Sequence, residues 1–160
     1  MLLIPGLLML GTIFPKSFDN AYRGYPIAGW LLALLSVAKA GQGLQTLIET
    51  RHVALGPDGI PVDTFSAAAA NEVLSLLALL GMYVMIVPVL SLLALVRYRA
   101  MIPFMYLLFI TVQLGARLIS YLHSNGDVAI NYGAMINLGV LALTCIGFIL
   151  SLMNRPNRER

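Results

Sequence analysis

The chain has 160 residues, of which 59% are hydrophobic and 11% are charged, and its mean hydropathy is +0.87. A soluble domain is usually about half apolar and about one quarter charged. So few charges could not cover such an apolar chain in water, which excludes an ordinary soluble domain and indicates an integral membrane protein. The single cysteine, Cys145, excludes an internal disulfide.

The N-terminal segment MLLIPGLLMLGTIF is apolar, but it is shorter than the roughly 20 residues that a membrane-spanning helix needs. It lacks the basic start and the small-residue cleavage site of a signal peptide, and Pro5 and Gly6 disfavour a helix. We therefore expect residues 1–15 to lie in the membrane interface or to form a re-entrant segment.

Four later apolar stretches are long enough to cross about 30 Å of hydrocarbon. They are residues 27–48, 73–96, 102–122 and 128–153. Pro88 lies inside the second stretch and should kink it. The connections are short, and short connections make neighbouring helices antiparallel. We predict an all-α membrane protein with four transmembrane helices in an up-down bundle, forming a single integral membrane domain over residues 1–160.

The basic residues outside the predicted spans fall almost entirely on one side of the membrane. That side carries Lys16, Arg23, Arg97, Arg99, Arg155, Arg158 and Arg160. The other side carries Arg51. The positive-inside rule therefore predicts cytoplasmic termini, and we expect the protein to lie in a bacterial inner membrane. The net charge of +3 is accordingly a topology signal and does not indicate nucleic-acid binding.

Two cations lie inside the predicted spans, where ionisable side chains are costly and often functional. At 1.5 Å per residue, Lys39 lies about 18 Å into the first span and Arg117 about 22 Å along the third. Polar side chains share their helix faces, and a carboxylate precedes the second span. The candidate ligand-binding residues are therefore Lys39, Gln42, Glu72, Gln113 and Arg117.

Two interpretations of this polar patch stay open. Its residues could bind an anionic or polar lipid headgroup, a quinone or a small anion. Alternatively, both cations could extend to the outer headgroups and pair there with Glu49 or Glu72, which would be a purely structural role.

No catalytic motif accompanies the polar patch. The sequence contains no P-loop, dinucleotide fingerprint, nucleophile elbow or metalloprotease motif. The two histidines, His52 and His123, fall at the outer ends of spans, whereas haem ligands would face each other inside the membrane. We expect no cofactor and no metal site, and the sequence favours a protein that is not an enzyme.

The start of the first span and the end of the second carry distinctive local sequences. Gly29-Trp30-Leu31-Leu32 opens the first span, Glu72 precedes the second, and VRYRAMIP at 96–103 follows it. In this order they resemble a bacterial family of short four-helix inner-membrane proteins with a domain of unknown function. The resemblance covers about residues 25 to 125, and it implies the four-helix topology. It transfers no site residue, because that family has no established activity.

Three functions are compatible with the sequence. The leading hypothesis is a non-catalytic accessory or scaffold subunit of a membrane assembly, whose partners are the lipid bilayer and other membrane subunits or further copies of this chain. The alternative is an oligomeric transporter or ligand-binding membrane protein that recognises an anionic or lipid headgroup through Lys39 and Arg117. The third is an enzyme acting on a lipid or quinone, for which Glu72, Asp127 and the two histidines are the available acids or bases.

Overall fold

The computed structural model describes residues 11–14, 20–123 and 132–153, and this part of the chain is mainly α-helical, with no β-strand in it. The helices are α1 (Pro26–Ile48), α2 (Thr50–Leu55), α3 (Ala67–Arg97), α4 (Ile102–His123) and α5 (Tyr132–Leu152). Short 3-10 turns, Val62–Thr64 and Arg99–Met101, precede α3 and α4. Helices α1, α3, α4 and α5 are long and apolar enough to cross a membrane, which confirms the predicted all-α membrane fold with four spanning helices.

Helix α3 starts at Ala67, earlier than the predicted span at Val73. The run of alanines from residue 67 favours helix, because alanine has the highest helix propensity. Ser66 caps the helix, since the Ala69 amide donates to the Ser66 hydroxyl oxygen at 3.3 Å. The 31 residues of α3 measure about 46 Å at 1.5 Å per residue, which exceeds the roughly 30 Å of a hydrocarbon core. The early turns, which include Glu72, therefore extend the helix beyond its apolar stretch.

Prolines occupy three different positions in the spanning helices. Pro26 is the first residue of α1, where its missing amide hydrogen costs nothing and its fixed φ suits a helix. Pro103 is the second residue of α4. Pro88 lies inside α3, which continues through it to Arg97. The kink at Pro88 stays a prediction.

The chain forms two compact units. The first comprises Met1–Leu35 with Leu90–Arg160, and the second comprises Ser36–Val89. Both boundaries fall inside spanning helices, so α1 and α3 each contribute residues to both units. The single-domain organisation stays a prediction.

In the second unit, the connection between the first two spans is folded rather than being only a set of turns. Ala54 of α2 and Val62 of the following 3-10 turn are buried with Leu77 of α3. The Arg51 guanidinium pairs with the Asp63 carboxylate and ties α2 to the same turn. This connection therefore covers part of α3 with apolar side chains, which its turn signals alone did not predict.

Helices α1 and α3 approach each other closely in the second unit. A Cβ atom added to Gly43 would lie 2.6 Å from Met85 Cγ and 2.8 Å from the Gly81 carbonyl oxygen. A Cβ atom added to Gly81 would lie 2.8 Å from the Gly43 carbonyl oxygen. Small residues let transmembrane backbones approach in this way. The paired glycines therefore set the α1–α3 separation.

In the first unit, residues of α1, α4 and α5 meet at one side chain. Tyr106 of α4 is fully buried, and its hydroxyl donates a hydrogen bond to the Ala28 carbonyl at 2.7 Å. A Cβ atom added to Gly147 of α5 would lie 2.5 Å from Tyr106 Cζ. The Tyr25 amide also donates to the Leu150 carbonyl at 3.3 Å. The start of α1 is thus held to the end of α5.

Several sequence predictions concern residues outside the described part of the chain. They include most of the 1–15 segment, the start of the fourth predicted span, the outer loop with Asp127, and the basic tail. In the 1–15 segment, residues 11–13 are helical. The centroid of the Phe14 ring lies 5.5 Å from the centroid of the Phe104 ring. The segment therefore contacts α4 at its described end, and its interfacial or re-entrant course stays a prediction.

Candidate functional site

Lys39 and Gln42 contact each other on α1. The Lys39 ammonium donates to the Gln42 side-chain oxygen at 2.9 Å. The two residues are three apart, which places them on neighbouring turns of one helix face. Lys39 is partly buried and Gln42 is exposed. The amide oxygen of Gln42 is thus one acceptor for an ammonium inside a spanning helix.

The polar face continues towards the end of α1. The Gln45 side-chain amide donates to the Glu49 carboxylate at 3.3 Å, and both residues are exposed. We call Lys39, Gln42, Gln45 and Glu49 the polar stripe of α1. Counted from Pro26 at 1.5 Å per residue, it runs from about 20 Å to beyond 30 Å along the helix. Its first half therefore lies within the thickness of a hydrocarbon core.

Glu72 lies in the second unit, as the polar stripe does. It is exposed near the start of α3, in the part that extends beyond the apolar stretch. A carboxylate in this position is solvated and carries little cost.

Gln113 of α4 contacts α5. Its side-chain amide donates to the Thr144 hydroxyl oxygen at 3.1 Å. Thr144 is fully buried, and its own hydroxyl donates to the Val140 carbonyl at 2.6 Å. Gln113 therefore makes a contact between two helices, which was not predicted when it was named as a candidate ligand-binding residue.

Arg117 lies one turn beyond Gln113 on the same helix. Its side chain is partly exposed, yet its Nη2 atom is buried and has no hydrogen-bond partner among the described residues. An intramembrane guanidinium is costly unless it is paired, so this nitrogen is the least satisfied donor of the candidate set.

The five candidate residues divide between the two units. Lys39, Gln42 and Glu72 belong to the second unit, and Gln113 and Arg117 belong to the first. Within the units, Lys39 contacts Gln42, and Arg117 shares a helix face with Gln113. A single polar patch that joins all five stays a prediction.

His52 is exposed at the rim of a shallow cleft of about 550 Å³, next to Glu49 and Arg51. In the described ranges, no three His, Cys, Asp or Glu side chains come together as metal ligands do. The His123 side chain lies outside the described structure.

The first unit also contains a groove that the search for intramembrane charge missed. It is open and has a volume of about 1070 Å³. Its lining includes the polar residues Asn20, Arg23 and Arg99, and also Gly29, Leu95 and Ile102, which lie close together and which we call its floor. In the sequence, the arginines of this groove were interpreted only as a signal of membrane orientation. The signal that could have revealed the groove is a glycine early in α1, because an isolated helical glycine often has a packing or functional reason.

Tyr22 stands beside this groove, outside the spanning helices. Its hydroxyl donates to the Tyr25 carbonyl at 3.2 Å. Burial of the phenol raises the pKa of Tyr22 to about 12. The hydroxyl is therefore a neutral hydrogen-bond donor throughout the physiological pH range.

No protein-family model, curated protein or solved structure matches this chain. The resemblance to short four-helix inner-membrane proteins therefore stays a prediction, and the candidate site depends on the geometry of this chain.

Proposed function

We propose that this membrane protein is a non-catalytic accessory or scaffold subunit of a larger membrane assembly. The observation that carries the proposal is the polar stripe of α1, whose residues Gln42 and Gln45 are exposed on a membrane-spanning helix, with Glu49 exposed directly after its end. A second copy of this chain or another membrane subunit covers that stripe.

The cost of leaving the stripe in lipid supports this proposal. Gln42 lies about 24 Å along α1 from Pro26, inside a hydrocarbon core of about 30 Å. Polar groups that face hydrocarbon without partners cost several kcal/mol each. The Lys39–Gln42 hydrogen bond satisfies one acceptor, and the rest of the exposed Gln42 amide group remains at the surface. Polar side chains of a neighbouring helix would remove this cost.

Two further features favour association. Gly41 of α1 and Gly139 of α5 have open space around the position of a Cβ atom, so the described part of the chain offers no packing reason for glycine there. Small residues at transmembrane surfaces allow close approach of another helix. The buried Nη2 atom of Arg117, which has no hydrogen-bond partner among the described residues, adds a donor on a partly exposed residue.

Photo-crosslinking in intact membranes tests the proposal. A photoreactive residue replaces Gln42 in the polar stripe, and in a matched variant it replaces Leu44, an exposed apolar residue of the same helix. We expect Gln42 to crosslink to a second polypeptide, whose mass separates another subunit from a second copy of this chain, and we expect Leu44 to crosslink mainly to lipid. Crosslinking of both positions to lipid alone would refute the assembly role.

A second candidate function is supported by Arg117. In it, an oligomer of this chain transports or binds an anion or an anionic lipid headgroup through Lys39 and Arg117. The unsatisfied guanidinium nitrogen is the observation that favours it, because an anion would neutralise the charge and accept the hydrogen bond. Arg117→Gln and Lys39→Gln should then reduce anion uptake into liposomes, whereas Arg51→Gln, outside the spans, should not. Equal uptake by all variants would exclude this candidate.

We also propose that the protein lies in a bacterial inner membrane with both termini in the cytoplasm. The support is the distribution of basic residues, because Arg23, Arg97 and Arg99 all fall on the side of the termini. A reporter that is active only in the cytoplasm should work when fused to the C-terminus and fail when inserted after Gly59. The reverse result would invert the topology.

A further inference from the structure

The groove in the first unit has both polar and apolar lining residues. Four polar side chains, those of Asn20, Tyr22, Arg23 and Arg99, line it. The floor is formed by residues of the spanning helices and the junction before α4. A ligand that fills this groove must therefore combine a negative or polar group with an apolar body.

Two cations, Arg23 and Arg99, line the groove, and Arg99 is held in place by hydrogen bonds. The Arg99 guanidinium donates from Nε to the Leu95 carbonyl at 3.1 Å, and its backbone amide donates to the Asn20 side-chain oxygen at 3.4 Å. Arg23 and Arg99 are both exposed, and within the described residues neither forms an ion pair. These two guanidinium groups have no carboxylate partner in the described part of the chain, which favours an anionic ligand, and phosphate oxygens match the planar fork of arginine.

Gly29 keeps the apolar floor open. A Cβ atom added there would lie 3.8 Å from Ile102 Cδ1 and 3.8 Å from Leu95 Cδ2, which is ordinary van der Waals contact. A larger side chain would extend into the groove. The Trp30 side chain at the rim is 78% exposed, as aromatic residues of the membrane–water interface often are.

We propose that this groove binds one anionic glycerophospholipid, with its phosphate group between Arg23 and Arg99 and an acyl chain along Gly29, Leu95 and Ile102. The proposal is independent of the assembly role, because all these residues belong to the first unit, whereas the polar stripe belongs to the second. The Asn20 side-chain NH2 can donate a further hydrogen bond to the headgroup, and the Tyr22 hydroxyl oxygen, whose hydrogen is donated to the Tyr25 carbonyl, can accept one.

The position of the groove favours a lipid over a soluble anion. Arg99 lies in the short connection between two spanning helices, and Arg23 precedes a third. Basic residues at such positions meet the headgroups of anionic lipids in the cytoplasmic leaflet. The apolar floor belongs to the same spanning helices, so it offers an acyl chain a surface continuous with the membrane. A free phosphate would use the arginines and leave this floor exposed.

The test is titration of the purified full chain with phosphatidylglycerol in uncharged detergent micelles, followed by native mass spectrometry. Phosphatidylcholine, which is zwitterionic and has no net charge, is the comparison. We expect Arg99→Gln to weaken phosphatidylglycerol binding roughly tenfold, as loss of a charge-assisted hydrogen bond does. Arg97→Gln removes the same charge from a neighbouring exposed residue that does not line the groove, and we expect it to change binding less than twofold.

Two substitutions at Gly29 test the acyl-chain part. Gly29→Leu fills the floor and should weaken phosphatidylglycerol binding by roughly tenfold, since it displaces about two methylene-sized groups of lipid contact. Gly29→Ala places its Cβ at ordinary contact distance and should retain binding, which controls for folding.

Three results would overturn the proposal. Equal losses in Arg97→Gln and Arg99→Gln would indicate diffuse charge attraction. Displacement of phosphatidylglycerol by equimolar glycerol phosphate would assign the site to a soluble anion. Displacement by a soluble acidic peptide at lower concentration than any lipid would assign it to a protein partner.

Discussion

The Tyr106 hydroxyl of α4 donates a hydrogen bond to the Ala28 carbonyl of α1 at 2.7 Å, across 78 residues of sequence. Both residues are fully buried. Because no water is available inside a spanning bundle, a polar hydrogen of this kind must find its acceptor within the protein. The Tyr106 side chain therefore defines how α1 and α4 pack in the first unit.

Tyr106→Phe should lower the free energy of unfolding by about 1 kcal/mol, because it removes one buried hydrogen bond and leaves the ring in place. Tyr106→Ala should cost about 3 kcal/mol or more, because it also opens a cavity. Thermal unfolding in detergent measures both. Tyr83→Phe, which removes the hydroxyl of a tyrosine that is 61% exposed, should be close to neutral. Equal effects at positions 83 and 106 would contradict the packing role of Tyr106.

Gly147→Ala should destabilise the first unit by about 1–3 kcal/mol, because the added methyl group would overlap the buried Tyr106 ring. Gly139→Ala on the same helix is the matched control, since nothing lies within 4 Å of its Cβ position. That substitution should be neutral or stabilising through higher helix propensity. The midpoint of thermal unfolding distinguishes the two variants, and a loss of stability at position 139 alone would be inconsistent with this arrangement.

Gly43→Ala should separate α1 from α3 and cost about 1–3 kcal/mol, because the added carbon would lie 2.8 Å from the backbone carbonyl oxygen of Gly81. A backbone atom cannot rotate away as a side chain can. Gly41→Ala, two residues earlier on the same helix, meets nothing within 4 Å and should retain wild-type stability. Hydrogen exchange of α1 amides and thermal unfolding measure the difference. Similar behaviour of the two variants would exclude a close crossing at Gly43.

The protonated phenol of Tyr22 should contribute to the free energy of unfolding, and this contribution should be lost at alkaline pH. Burial raises its pKa from 10.0 to about 12, so the folded chain holds the phenolic proton more tightly than the unfolded chain does. This contribution is complete below pH 10.0 and is lost as the pH rises through about 12. Ultraviolet absorbance of tyrosinate, compared between wild type and Tyr22→Phe, measures the ionisation. A Tyr22 transition near pH 10.0 would show that the phenol is solvated.

Hydropathy predicted the four spanning helices, and one of them is longer than its predicted span. The second predicted span began at Val73, whereas α3 begins at Ala67. The difference arises because hydropathy measures transfer to lipid, while alanine propensity and the Ser66 cap extend a helix into water. Helix α2 was missed for a related reason. At six residues it is too short for a periodic signal, and it is stabilised by the burial of Ala54 with Leu77.

The candidate site was predicted in part. Lys39 and Gln42 contact each other because a three-residue spacing places them on one helix face, and such a spacing can be read from sequence. The contact between Gln113 and Thr144 could not be read in this way, because it depends on the relative rotation of α4 and α5. The unsatisfied nitrogen of Arg117 likewise depends on which neighbours surround it.

The sequence by itself determined that this is an all-α membrane protein with four spanning helices, since length and hydropathy are properties of each segment alone. It also located the intramembrane cations Lys39 and Arg117 along their helices. Only the tertiary structure decided that Tyr106 binds the Ala28 carbonyl, that Gly43 meets Gly81, and that Arg23 and Arg99 line one groove with Gly29 and Ile102. These contacts join distant parts of the chain, and they depend on helix rotation and separation, which no local pattern of residues encodes.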